Sequence, residues 1–137
     1  MGKTAGWKRI FRPRCILLAL TLLWTLFIFS NSLQTGAQSD QRSGQVVELV
    51  GGALENAGMD LHSIILLVRK SAHFIEFALL GAGMLLTLHA FRRPLRRGLP
   101  ALLFLGLLVP LMDESIQLVS PGRSAQLADV WLDFGGV

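Results

Sequence analysis

Apolar residues in this chain gather into long runs rather than alternating with polar ones, and the runs predict helices. The first, Cys15 to Phe29, carries no charge; with Ser30 to Leu33 added it approaches the roughly 20 residues that span a bilayer core. The second, Ser71 to Phe91, is interrupted by His73, Glu76 and His89, and the third, Leu99 to Val119, by Asp113, Glu114 and Gln117. A fourth stretch, Ala125 to Val137, carries Asp129 and Asp133; as a helix it reaches about 20 Å, short of the roughly 30 Å core. It reads as a helix cut short at the C-terminus, or as one that dips into the membrane without crossing.

The expected fold is all-α: a polytopic helical membrane protein with three spans, the start of a fourth, and a short amphipathic helix in the outer loop. One domain covers residues 1–137, divided into a basic cytoplasmic N-terminus (1–14), span 1 (about 15–33), the outer loop (about 34–60), a helix including span 2 (about 61–91), span 3 (about 99–119) and the start of span 4 (about 125–137). In the loop, Ser43 is the expected cap of a helix in which Val46, Leu49, Val50, Ala53, Leu54 and Ala57 recur at helical spacing, although Gly44, Gly51 and Gly52 weaken it. Such a helix would lie on the outer interface. Gly58 is placed to end it, and Asp60 to cap the next helix. Pro110 is expected to free the carbonyl of Gly106 and kink the third span, and Pro121-Gly122 signals a turn. Gly81 and Gly83 offer a place for close helix approach.

Composition agrees with this pattern. Hydrophobic residues make up 52% of the chain and charged residues 16%, against about 25% charged in ordinary globular proteins. Disorder is excluded, since it requires low hydrophobicity and high net charge. The net charge of +4 is informative only once sorted by position. Nine of the 13 basic residues flank one side: Lys3, Lys8, Arg9, Arg12 and Arg14 before the first span, and Arg92, Arg93, Arg96 and Arg97 between the second and third. By the positive-inside rule that side is the cytoplasm, which puts the N-terminus of a multi-pass membrane protein inside. The loop between the first two spans, with Asp40, Glu48, Glu55 and Asp60 against Arg42, is then outside. Nucleic acid is not an expected partner, because the arginines lack interleaved aromatics and a binding motif. The basic stretch before the first span also fits a signal peptide; the length of the apolar run and the lack of Ala-x-Ala favour a retained anchor. The single cysteine, Cys15, excludes an intrachain disulfide.

The polar residues inside the runs fall at one depth. Counted back from Arg92 at 1.5 Å per residue, Arg69 lies about 35 Å, His73 about 28 Å and Glu76 about 24 Å above the cytoplasmic end. Counted from Pro100, Asp113 lies about 20 Å, Glu114 about 21 Å and Gln117 about 26 Å up. From a helix start near Ser124, Asp129 and Asp133 lie about 8 and 14 Å below the outer boundary. Spacings of i, i+4 and i, i+7 put Arg69, His73 and Glu76 on one stripe, Asp113 and Gln117 on another, and Asp129 and Asp133 on a third. Lys70 and Arg123 sit at the mouth. Ionisable residues in a membrane segment are costly and by default mark a functional site. Polar residues also serve as interhelical glue, but five carboxylates facing three firm cations exceed that need.

These residues resemble the VanZ-like family of small bacterial membrane proteins. The matching elements are Arg69-Lys70-x-x-His73-x-x-Glu76-Phe77, Asp113-Glu114-x-x-Gln117, Pro121-Gly122-Arg123 and Asp129-Val130-x-x-Asp133-x-x-Gly136, with Phe29-Ser30-x-Ser32 at the end of the first span. The ordered set covers the chain from about residue 25 onward. Asp133 stands where the family more often shows Asn, and relatives usually continue past the position of Val137 through a glycine-rich helix. The resemblance implies a multi-span helical protein acting on the cell envelope, since the family's founding member is associated with resistance to glycopeptide antibiotics, mainly teicoplanin.

Three functions compete. The first is a binding or transport-type site, built from Arg69, Lys70, His73, Glu76, Asp113, Glu114, Gln117, Arg123, Asp129 and Asp133, for a lipid-linked cell-wall precursor or an anionic lipid head group. Arg69, Lys70 and Arg123 would contact phosphate. The second is an enzyme on lipid head groups, with His73 or Glu76 as general base and Asp113 and Glu114 as acid partner or metal ligands. No HExxH or GxSxG motif supports it. The third is an assembly partner without a ligand. No cofactor is expected, the metal content is left open, and a homo-oligomer is one expected arrangement.

Overall fold

The computed structural model describes residues 13–56, 58–123 and 125–137. Lys3, Trp7, Lys8, Arg9, Arg12, Ala57 and Ser124 lie outside the described residues, as do the side chains of Val50, Ala53 and Leu54. Five helices follow in order among the described residues: α1 (Pro13–Ser32), α2 (Gly36–Asn56), α3 (Leu61–Ala90), α4 (Leu95–Leu118) and α5 (Leu127–Gly136). Three of them, α1, α3 and α4, are long and apolar enough to cross a membrane.

Local chemistry explains most of the boundaries. Asp60 caps α3 as expected: its carboxylate accepts from the Ser63 amide at 3.1 Å and from the Ser63 hydroxyl at 2.7 Å. Gly58 precedes it with φ of 84°, a conformation that glycine adopts at little cost. The far end of α3 closes by a paired turn: the amide of Arg92 donates to the His89 carbonyl (2.8 Å) and that of Arg93 to the Leu88 carbonyl (3.2 Å), with Arg92 at φ 55°. Two starts differ from expectation. α2 begins at Gly36, not near Ser43, because Thr35 and Gln38 form a reciprocal cap. The Thr35 hydroxyl accepts from the Gln38 amide (3.3 Å), and the Gln38 side chain accepts from the Thr35 amide (3.1 Å). α4 begins at Leu95 behind Pro94, so Pro100 sits inside the helix instead of opening it, and the helix also continues through Pro110.

The helices pack around α3, which contacts α1, α2, α4 and α5. Ile28, Phe77, Leu80 and Val109 form the apolar core, flanked by Trp24, Phe29, Met84 and Val137. The Trp24 indole donates to the Glu76 carbonyl (2.9 Å), and Thr21 and Thr87 hydroxyls lie 3.1 Å apart, tying α1 to α3. Arg14 stands 5.6 Å from the Phe91 ring centroid, so the start of α1 and the α3–α4 turn share one end of the bundle. Close backbone approach depends on glycine. A Cβ at Gly81 would run into the main chain of Val137, and one at Gly136 would meet the Phe74 carbonyl at 2.8 Å.

Polarity is distributed opposite to that of a water-soluble domain. Leu20, Leu23, Leu26, Leu86, Leu103 and Phe104 face outward, while Ser32, Asp113, Glu114, Gln117, Ser120 and Asp133 are buried. Bilayer tails solvate such an exterior, whereas the buried polar groups must satisfy one another. α2 turns small residues toward the bundle. Its buried stripe is Gly36, Ser39, Ser43 and Val47, and Val46 and Leu49 point away from the bundle. Ser43, the expected cap, is therefore an inward-facing residue of the second turn onward.

Candidate functional site

The end of α1, the middle turns of α3, the last turns of α4 and the body of α5 enclose a polar cluster, with α2 laid across it. Its floor is Asp113 on α4, fully buried. One carboxylate oxygen accepts from the Ser32 hydroxyl at 2.6 Å, a length typical of a bond to an ionised acid, and the other from the Gln117 side chain at 3.0 Å. Gln117 is one turn further along α4, so the i, i+4 spacing read in the sequence is realised as a direct contact. The Ser120 hydroxyl donates to the Ser32 carbonyl (2.9 Å), holding the end of α1 against the end of α4.

His73 on α3 reaches over this floor. Its Nδ1 lies 3.9 Å from an Asp113 oxygen and 3.7 Å from an Asp133 oxygen on α5. Asp133 is 1% exposed, and neither of its carboxylate oxygens has a hydrogen-bond partner among the described residues. Glu76, one turn below His73, accepts from the Asn31 side chain at 2.9 Å. Glu114 accepts from the backbone amide of Gln126 at 2.9 Å, so this carboxylate faces the positive N-terminal end of α5. Lys70 pairs with Asp129 at 2.5 Å.

Two arginines complete the mouth. Arg69 lies 4.0 Å from Asp40 of α2. Arg123 follows the Pro121-Gly122 turn, and its Nε and one terminal nitrogen are buried without a partner among the described residues. Burial, and then the neighbouring charge of Arg69, push the Arg123 guanidinium below its ordinary pKa. A cavity of about 110 Å³ opens here, and Arg42, Arg69, His73, Glu76 and Arg123 are among the residues lining it. A smaller one of about 10 Å³, room for one water, lies on the other side of His73 against Asp129 and Asp133.

All ten residues singled out from the sequence therefore meet in one region. Lys70, Asp129 and Glu114 are occupied by partners within the protein; His73, Asp133 and Arg123 retain unused capacity. Sequence reasoning missed Asn31, Ser120 and the inward face of α2, which brings Ser39, Arg42 and Ser43 to the mouth. The signal for Asn31 was present in the polar Ser30-Asn31-Ser32 at the end of an apolar run, which also suits a cleavage site. α2 gave no comparable signal, because its buried stripe is small and polar.

Three membrane-length helices, an apolar exterior and a buried polar cluster define a helical membrane protein with a site between its helices. The chain belongs to the VanZ/LLP1 family, whose sequence model matches residues 17–137, nearly its whole length. No curated protein and no solved structure matches it.

Proposed function

We propose that this protein binds the phosphate-bearing head group of a lipid-linked envelope component in the outer leaflet of the bacterial inner membrane. In this reading the N-terminus is cytoplasmic, by the arginine distribution, and the cluster opens outward beneath α2. One observation carries it: Arg123 holds buried donors with no partner among the described residues, beside Arg69 and over a cavity of about 110 Å³. Unpaired buried donors are expensive, and two adjacent guanidinium groups repel unless an anion lies between them. Phosphate oxygens fit the forked donor pattern of arginine. A role in glycopeptide sensitivity follows from the family resemblance, because such antibiotics act on lipid-linked cell-wall material.

The test uses the full chain in nanodiscs with a polyprenyl phosphate as probe, measured by native mass spectrometry. Arg123→Ala should weaken binding by about 10- to 100-fold, the value of one or two hydrogen bonds to a charged group. Arg123→Lys should not restore it, since charge without the fork is insufficient. Unchanged binding in Arg69→Ala and Arg123→Ala would overturn the proposal.

A further inference from the structure

The second set of unused polar atoms belongs to a carboxylate and calls for the opposite charge. We infer that His73, Asp113 and Asp133 form a binding site for a divalent transition-metal ion, a site that does not depend on the phosphate reading. One donor atom from each residue lies within 4.8 Å of the others, and the three come from α3, α4 and α5.

Four features support a metal over a plain ion pair. The first is the orphaned acid: Asp133 is 1% exposed, both its oxygens lack partners among the described residues, and one of them faces His73 Nδ1. An ionised carboxylate in this position needs a cation or several donors. The second is distance. The same nitrogen, Nδ1, sits 3.9 Å from Asp113 and 3.7 Å from Asp133, beyond the roughly 3.2 Å limit of an N–H···O bond. One proton on Nδ1 serves at most one of the two acids. Two donors each about 2.1 Å from a shared tetrahedral ion lie about 3.4 Å apart. The two histidine pairs therefore need a contraction of a few tenths of an ångström to hold an ion, and the two aspartates, whose donor oxygens lie within 4.8 Å of each other, need the larger adjustment. The third is charge: with His73 neutral, the two aspartates carry −2, which a divalent ion cancels. The fourth is orientation. Ser32 and Gln117 each hold one oxygen of Asp113, Gln117 the one nearest His73, and outer partners of this kind usually fix a metal-binding carboxylate.

The donor set is one imidazole and two carboxylates, which suits Zn²⁺ or Mn²⁺ better than soft-ligand metals. Three protein ligands leave at least one coordination position, and the small cavity of about 10 Å³ beside His73 and Asp133 has room for one water there. The neighbouring acids have other commitments: Glu76 is held by Asn31, Glu114 by the Gln126 amide and Asp129 by Lys70.

The experiment takes the full chain, tag removed, in detergent micelles after chelator treatment and dialysis. Zn²⁺, Mn²⁺ and Co²⁺ are titrated separately, with bound metal counted by mass spectrometry and the Co²⁺ absorption spectrum recorded. The expected result is one equivalent per chain, an N/O-ligand Co²⁺ spectrum and a rise in Tm with metal. His73→Gln and Asp133→Asn should each abolish saturable binding, Gln117→Ala should weaken it by about 10- to 100-fold, and Glu48→Gln on the exposed face of α2 should leave it unchanged. If either ligand variant fails to fold, the wild-type stoichiometry and spectrum still decide. Absence of stoichiometric binding by the wild type, or equal binding by both folded ligand variants, would overturn the inference.

Discussion

Replacing Ser32 by alanine removes a single oxygen from the most enclosed part of the bundle. Ser32 and Asp113 are both 0% exposed, and their hydroxyl–carboxylate bond measures 2.6 Å. The change leaves almost no cavity, so the loss reports on that bond. Hydrogen bonds to a charged group contribute about 1.5–3 kcal/mol, and Asp113 has no surface exposed to bulk solvent. Neutral polar pairs between membrane helices average only about 0.6 kcal/mol. Ser32→Ala is therefore expected to cost about 1.5–3 kcal/mol if Asp113 is ionised. Reversible unfolding in mixed detergent micelles, followed by far-ultraviolet circular dichroism and Trp24 fluorescence, measures it. Ser30→Ala is the control: its exposed hydroxyl bonds the Phe27 carbonyl of its own helix, and the expected change is within about 0.5 kcal/mol. A loss near 0.6 kcal/mol would mark a protonated Asp113. A loss for Ser32→Ala no larger than for Ser30→Ala would refute the placement of Ser32 against Asp113.

Two further outcomes are expected. A Cβ at Gly36 would run into the Gly122 carbonyl, so Gly36→Ala should lift the start of α2, break the 3.0 Å bond from its amide to the Pro121 carbonyl and cost about 1–3 kcal/mol; at Gly44, where nothing lies within 4 Å, alanine should stabilise by about 0.5–1 kcal/mol, and unfolding midpoints of the pair check the opposite signs. The Asp60 carboxyl is held below its ordinary value of 3.8 by the Ser63 hydroxyl and amide, so its support of α3 is full above that pH and is lost as pH falls through the lower folded value; the protection factor of the Ser63 amide, its exchange rate divided into the intrinsic rate at the same pH, should fall on acidification in the wild type and stay constant across that range in Asp60→Asn.

The spans were legible because burial in lipid demands long uniform runs, and their periodic polar residues were legible because each one is an expensive exception. Depth counting puts the whole set of polar residues, His73, Asp113 and Asp133 among them, in one region, since helices of fixed rise act as rulers. The helix start is not decisive: α4 begins at Leu95, before Pro100 from which the depth is counted, yet Asp113 and Gln117 share a face because their mutual spacing sets it. What could not be read was pairing across helices. Nothing local in the chain says that Ser32 belongs to Asp113, 81 positions away, or that Asn31 belongs to Glu76. The inward face of α2 was hidden for a related reason. Its apolar residues mark a side for the interface, whereas the contact with the Pro121-Gly122 turn, far along the chain, selects small groups for the side that faces the bundle.

The backbone contacts of α5 give the site its dimensions. Gly81 and Gly136 let the main chains of α3 and α5 touch, and Asp133 sits one turn before the end of that contact. A methyl group at either glycine would act as a spacer, tilting α5 outward and carrying Asp133 away from His73 with no charged residue substituted. The separation between the imidazole and the acid is thus written in two positions that have no side chain, and chemistry at the centre can be detuned without altering any group that performs it.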